Sequence, residues 1–250
     1  MQLCQSKIGK AHELPPTWNE DITIPKVCKR RYAYVRQLCD DYLAEDALPL
    51  FRVRATSEEI EAYRVSVRRP MTMPEAEAHL LYRKICERLP AYDAFLLHAV
   101  LVSMDGRGYA FSAERGVGKS THAALWKDRF GSRVTILNGD KPIIRRLPDG
   151  HLWAYGTPFA GKEGIHANAR IPLSAICFLE QGCENRMSPT PTADAVSRML
   201  MSTVMPCEPA LQERMATLVG YTVRQTPTYT LACRPEAAAA ELAFEVLSRL

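Results

Sequence analysis

Residues 94–104 read AFLLHAVLVSM, an apolar stretch interrupted only by His98 and Ser103. A run this apolar, closed by DGRG, predicts a strand buried on both faces and then a tight turn. The next segment, YAFSA (109–113), predicts a second strand running straight into a glycine-rich loop. GKSTHAALWKDRF then reads as a helix, RVTIL (133–137) as a strand, and KPIIRRL with HLWAYG as a hairpin around PDG. SAICFLE (174–180) is a further buried strand. TADAVSRMLMSTVM (192–205) and RPEAAAAELAFEVLSRL (234–250) carry helix start signals, Thr192 or Asp194 in one and Pro235 in the other.

The first part of the chain has a different texture. PEAEAHLLYRKICERL (74–89) predicts a helix, with Pro74 in its first turn and Ala78, Leu81, Ile85 and Leu89 on one stripe. LFRVRAT (50–56) and YRVSVRR (63–69) alternate apolar with basic residues, the period of half-buried strands. CKRRYAYVRQLCDDYLAE (28–45) reads as a helix, and residues 1–25, with LPP at 14–16, as a lead-in of little regular structure. Strands and helices are mixed rather than strictly alternating, which predicts an α/β fold with a mixed sheet. The boundary is expected near residue 90, at RLPAYD: residues 1–90 form a smaller N-terminal α+β region, and 91–250 the main domain.

Composition narrows the class without naming a chemistry. Over 250 residues, 47% apolar and 24% charged, the chain has the make-up of a soluble globular protein with a proper core. A net charge of +4 gives no reason to expect nucleic acid or a membrane as partner, and the basic clusters KVCKRR (26–31) and RVSVRR (64–69) read as solvated faces. The eight cysteines contain no C-x-x-C pair, and Cys177 and Cys183 lack zinc-ligand spacing. The N-terminus has no apolar leader core, and no run of eighteen apolar residues occurs. Reduced thiols in a cytoplasmic protein are the expectation.

The chemistry enters at FSAERGVGKSTHAALW (111–126). It follows the phosphate-binding pattern G-x-x-x-x-G-K-[ST], except that Ala113 stands at the first glycine position. Such a loop works because backbone N–H groups converge on an anion at a helix N-terminus, whose dipole adds to the attraction. The cofactor-binding residues predicted are Arg115, Gly116, Val117, Gly118, Lys119, Ser120 and Thr121. Lys119 would reach the β- and γ-phosphates, and Ser120 would ligate Mg²⁺. Ala113 keeps its N–H, so the substitution removes conformational freedom rather than a donor. Phosphoryl transfer also needs a carboxylate near the metal. RVTILNGDKPIIR delivers Asp140 after a strand, where it either holds Mg²⁺, directly or through water, or accepts the proton of an attacking hydroxyl, or is simply a turn residue.

Three segments together resemble the HPr serine kinase-like proteins, whose core is related to that of ATP-dependent phosphoenolpyruvate carboxykinase. They are LLHAVLVSMDGRGYAFSAERGVGKSTHAALW, LNGDKPIIR and YGTPFAGKEGIHANARIPLSAICFLEQG. The resemblance spans roughly residues 92–205 and implies a mixed-sheet P-loop kinase core that uses ATP and Mg²⁺ to phosphorylate a serine-type hydroxyl. On that basis Asp140, Lys119, His98 and Lys162 are the catalytic candidates, and Ser120 and Asp140 the metal ligands. His98 falls where a histidine near the transferred phosphate is expected, and Lys162 sits in a second glycine-bounded loop, GTPFAGK. His122 and one of Arg145 and Arg146 are weaker candidates. Gly139 replaces the first acid of an Asp-Asp pair, and the signature E-L-N-L-R-G is missing. The hydroxyl-bearing acceptor, a small molecule, peptide or protein, therefore stays open, as does the oligomeric state. The N-terminal 90 residues are candidates to select that acceptor. A nucleotide-binding module without turnover is the competing reading, and Gly139 favours it. A carboxykinase-type lyase fits poorly, because so short a chain has little room for its second substrate.

Overall fold

The computed structural model describes residues 2–4, 24–25, 37–44 and 49–250. The chain divides into two compact units, Met1–Arg88 and Leu89–Leu250.

In the first unit, β1 (Gln2–Cys4), β2 (Ile24–Pro25), β3 (Leu43–Ala44) and β4 (Pro49–Arg52) form two short pairs, β1 antiparallel to β4 and β2 parallel to β3. Two helices follow, α1 (Ser57–Ser66) and α2 (Met73–Arg88). Ile60 of α1 packs on Ala76 and Leu80 of α2. Helix α1 overturns the strand expected over 63–69. Thr56 and Glu59 form a reciprocal capping box: the Glu59 amide donates to Thr56 Oγ1 (3.2 Å) and the Thr56 amide to Glu59 Oε2 (2.8 Å). That start signal sets the backbone upstream of the alternating stretch, whose first residues, 63–66, then form the last turn of the helix. The helix read over 28–45 lies mostly outside the described residues. Within them, residues 37–38 are helical, Asp40–Tyr42 is a 3₁₀ turn and Leu43–Ala44 a strand.

The second unit is built on a nine-stranded mixed sheet. Its elements are β5 (Ala94–Leu96), β6 (Ala99–Met104), β7 (Arg107–Ser112), α3 (Lys119–Phe130), β8 (Val134–Asn138), β9 (Ile143–Arg146), β10 (Leu152–Tyr155), β11 (Arg170–Gln181), β12 (Arg186–Pro189), α4 (Thr192–Met201), α5 (Pro209–Gln225), β13 (Thr228–Cys233) and α6 (Ala237–Leu247). The strand order is β5-β9-β10-β11-β7-β6-β8, with β13 parallel to β11 and β12 antiparallel to β13. The β9–β10 hairpin forms as its sequence predicts, while α5, β12 and β13 are additions to that reading.

Side chains along β6 and β7 alternate between two cores. Ala99, Leu101 and Ala110 join Met199 of α4 and Met215 and Leu218 of α5 on one face. Val100, Val102, Tyr109 and Phe111 join Trp126 of α3 and Ala243 of α6 on the other. Both faces are covered, which is why the sequence is apolar without a period of two. The run 94–104 is nevertheless two strands, broken at Leu97 and His98. Their amides leave the ladder and donate to Pro142 O (3.0 Å) and Ser202 O (2.7 Å). Among the described residues no helix is long and apolar enough to cross a membrane.

Candidate functional site

Strand register assembles the site. Ala99, the first residue of β6, lies opposite Ser112, the last of β7, and Leu101 lies opposite Asn138, the last of β8. The start of β6 and the ends of β7 and β8 therefore meet at one end of the sheet, bringing His98, the loop from Ala113 to Gly118 and Asp140 together.

The loop has the shape its glycines require. Gly116 and Gly118 have φ of 87° and 122°, conformations that side chains other than glycine seldom adopt. A methyl group on Gly116 would meet nothing within 4 Å, so backbone conformation rather than crowding calls for glycine there. Gly118 is the N-cap of α3 and supplies no side-chain cap, leaving the first-turn amides to other acceptors. Lys119 Nζ donates to the backbone carbonyl of Ala113 (2.9 Å), an acceptor that any residue at that position would supply. Lys119 is only 9% exposed. Burial lowers its pKa, and the negative charge of Asp140 acts in the opposite direction. Arg115, Ser120 and Thr121 are exposed, and Val117 is half-buried.

Asp140 is held by a buried turn. Asn138 Oδ1 accepts from the amides of Asp140 (2.9 Å) and Lys141 (2.5 Å), while its Nδ2 donates to the carbonyl (2.9 Å) and Oγ1 (3.1 Å) of Thr157. Thr157 Oγ1 closes the ring by donating to Lys141 O (2.8 Å). Neither Asn138 nor Thr157 was singled out from sequence. The Asn ahead of Gly139 and Asp140 was the available signal, since Asn side chains commonly bond the backbone two residues on.

Around the carboxylate, His98 Nε2 lies 3.0 Å from Asp140 Oδ1, and Lys141 Nζ lies 3.3 Å from Oδ2. The backbones are tied as well, Ala99 N donating to Asp140 O (3.0 Å). Burial alone would raise the Asp140 pKa, but the His98 hydrogen bond and the Lys141 charge outweigh it and hold the carboxyl below its ordinary value. Asp140 is thus an ionised carboxylate at neutral pH, paired with a histidine. A hydroxyl and a carboxylate are oxygen donors of the kind Mg²⁺ takes, so Ser120 and Asp140 are the residues that could hold it.

The second glycine-bounded loop lies over Asp140. A Cβ on Gly161 (φ 72°) would come within 3.0 Å of Asp140 Cβ. Lys162 is next in that loop, with its side chain exposed. Gly139 sits beneath the same loop: its amide donates to Ile165 O (2.9 Å), and a Cβ there would lie 3.1 Å from Ala160 O. The position that lacks the paired acid is one where the loop backbone takes up the room of a side chain.

The weaker candidates have other partners. His122 is buried against Phe111, and its Nε2 accepts from Trp126 Nε1 (3.0 Å). Arg146 pairs with Asp93 (2.9 Å) and lies over the Tyr221 ring. Arg145 sits on the opposite face of β9, across from Trp153.

No family model and no curated protein matches the chain. Among solved structures, the HPr(Ser) kinase/phosphatase from Coxiella burnetii is similar over 52% of this chain and 88% of its own, at 15% identity and a TM-score of 0.29. At that level of likeness the fold rests on this chain's own topology, a mixed α/β sheet with a strand–loop–helix at one end.

Proposed function

We propose that this chain is an ATP- and Mg²⁺-dependent phosphotransferase that moves the γ-phosphate to a hydroxyl, of serine type, on a small molecule, peptide or protein. The observation that carries this is the convergence of a phosphate-type loop with an ionised, histidine-paired carboxylate at one end of the sheet. Lys119 and the first-turn amides of α3 would take the triphosphate charge. Ser120 and Asp140 would hold Mg²⁺, which would supply neutralisation of the charge on the phosphate oxygens. Asp140, oriented by His98, would accept the proton of the acceptor hydroxyl as its oxygen bonds to the γ-phosphorus. The bond to the β-bridging oxygen breaks in the same step and ADP leaves. Lys162 would enter as a point charge toward the phosphate or the acceptor, and residues 1–90 would choose the acceptor.

The test is transfer of label from γ-labelled ATP with Mg²⁺ to free serine, related hydroxy compounds and fractions of a cell extract. Label is expected in one acceptor. Lys119→Ala should abolish the transfer. Asp140→Asn should keep nucleotide binding and lower transfer by about 10²–10⁴-fold, the usual worth of a positioned proton acceptor. Wild-type transfer by Asp140→Asn would remove that residue from the mechanism. ATP binding with no label moved to any fraction would favour a nucleotide-binding module without turnover, the reading that the glycine at 139 supports.

A further inference from the structure

The bend that carries His98 to Asp140 is held by groups outside its own strand. Leu97 and His98 form the break between β5 and β6, and the amides around it reach two different segments. Leu97 N donates to Pro142 O (3.0 Å) and Ala99 N to Asp140 O (3.0 Å), which ties both flanking residues to the stretch that carries the carboxylate. The His98 amide, between them, donates instead to Ser202 O (2.7 Å). Ser202 is the C-cap of α4, and a helix end leaves its last carbonyls without partners inside the helix. The broken ladder and the ended helix thus satisfy each other.

The carbonyl of the same residue is held from another side. Ser112, the last residue of β7, is 0% exposed, and its Oγ donates to His98 O (3.0 Å). Ser112 Oγ also lies 3.3 Å from Ser202 Oγ. A hydroxyl has one proton and a carbonyl can only accept, so the Ser112 proton goes to His98 and the Ser202 hydroxyl turns its own toward Ser112. Two serines ninety positions apart therefore fix both backbone groups of His98. Burying a hydroxyl costs free energy that only its bonds offset, and both side-chain bonds of Ser112 belong to this clamp.

We infer that Ser112 is a positioning residue for the transfer reaction: with Ser202 it fixes the His98 backbone so that the ring meets Asp140. Neither serine side chain bonds the ring, which lies 3.0 Å from the carboxylate. The His98 side chain is 35% exposed, so packing alone does not hold the ring, and its aim depends on where the backbone is fixed. Ser112 also precedes Ala113, whose carbonyl accepts from Lys119, so the clamp joins the carboxylate side of the site to the start of the phosphate loop. The inference rests on the phosphotransferase reading above and adds what sets the geometry of its histidine.

The test is a cycle of variants on the full chain, read as kcat and KM for ATP in the label-transfer assay. Ser112→Ala should lower kcat about tenfold and leave KM for ATP within about twofold, since a misplacement near an ångström costs rate rather than nucleotide binding. Ser112→Thr, which keeps the hydroxyl, should recover kcat to within about threefold of wild type. His98→Ala should itself lower kcat, and Ser112→Ala added to it should cost nothing more, because the clamp acts through that ring. Ser202→Ala, at a half-buried position, covers the case in which Ser112→Ala does not fold; its loss of about threefold should likewise vanish beside His98→Ala. Losses that multiply in the double variants, or a KM for ATP that rises as kcat falls, would overturn the inference and make Ser112 a support of the loop alone. Wild-type kcat in folded Ser112→Ala, or a folded Ser112→Thr as slow as Ser112→Ala, would overturn it too, while leaving the phosphotransferase reading intact. If the wild type transfers no label to any acceptor, that reading itself falls, and this inference with it.

Discussion

Asp140 is half-buried and His122 fully buried, and their surroundings act on the two titratable groups differently. Burial works against the Asp140 charge, but His98 and Lys141 restore it, whereas His122 meets burial alone and stays neutral. The unfolded chain's imidazole titrates near 6.5 and the folded one near 4. Between those values only the unfolded chain takes up the proton, so stability falls as the pH drops from 6.5 to 4 and no further through this group. The ceiling of that loss is about 3 kcal/mol. Urea midpoints at pH 7, 5 and 4 should therefore show a steeper acid loss in the wild type than in His122→Gln, which keeps an acceptor for Trp126. Gly139 gives a second residue-level prediction. Restoring an acid there as Gly139→Asp sets a Cβ 3.1 Å from Ala160 O and a second negative charge next to Asp140. A loss of about 1–3 kcal/mol in thermal unfolding is expected, with no gain in transfer. At this scale the sequence displayed Lys119, Ser120 and Asp140 through spacing. It did not display Thr157, because its bonds to Asn138 span nineteen positions and no local pattern encodes them.

The element that matters most is the strand–loop–helix from β7 to α3, and it was readable because each of its parts has a local cause. The apolar run, the glycines at positive φ and the helix after them occur in the order that the loop requires. Gly118→Ala tests the middle part. Nothing but Thr121 Cβ, at 4.0 Å, lies near an added methyl, so its cost is conformational and amounts to about 1–3 kcal/mol. Thermal unfolding should show that loss, and nucleotide affinity should fall as the first-turn amides lose their aim. The misread elements also have definite causes. The strand expected over 63–69 rested on a short alternation, while the capping box at Thr56 and the Glu61–Arg64 pair (2.6 Å) favour a helix. The break at His98 was hidden by apolar residues on either side. It is made by acceptors far along the chain, Pro142 and Ser202, and it places the histidine beside Asp140.

At the scale of the molecule, the second unit contains both apolar cores of the sheet together with every candidate site residue. A fragment from Leu89 to Leu250 should accordingly fold, unfold in one cooperative transition and bind ATP within about threefold of the full chain. If residues 1–90 choose the acceptor, that fragment should lose label transfer while retaining nucleotide binding. A fragment that stays unfolded would show that the first unit is needed for more than acceptor choice. Strand β11 gives this unit an unusual mechanical property. Its residues 170–172 pair with β10, 173–178 with β7 and 176–181 with β13. One continuous strand thus runs from the hairpin to the strands that border the loop. Amide protons in the middle of β11 should exchange only through global opening, at the slowest rates in the protein.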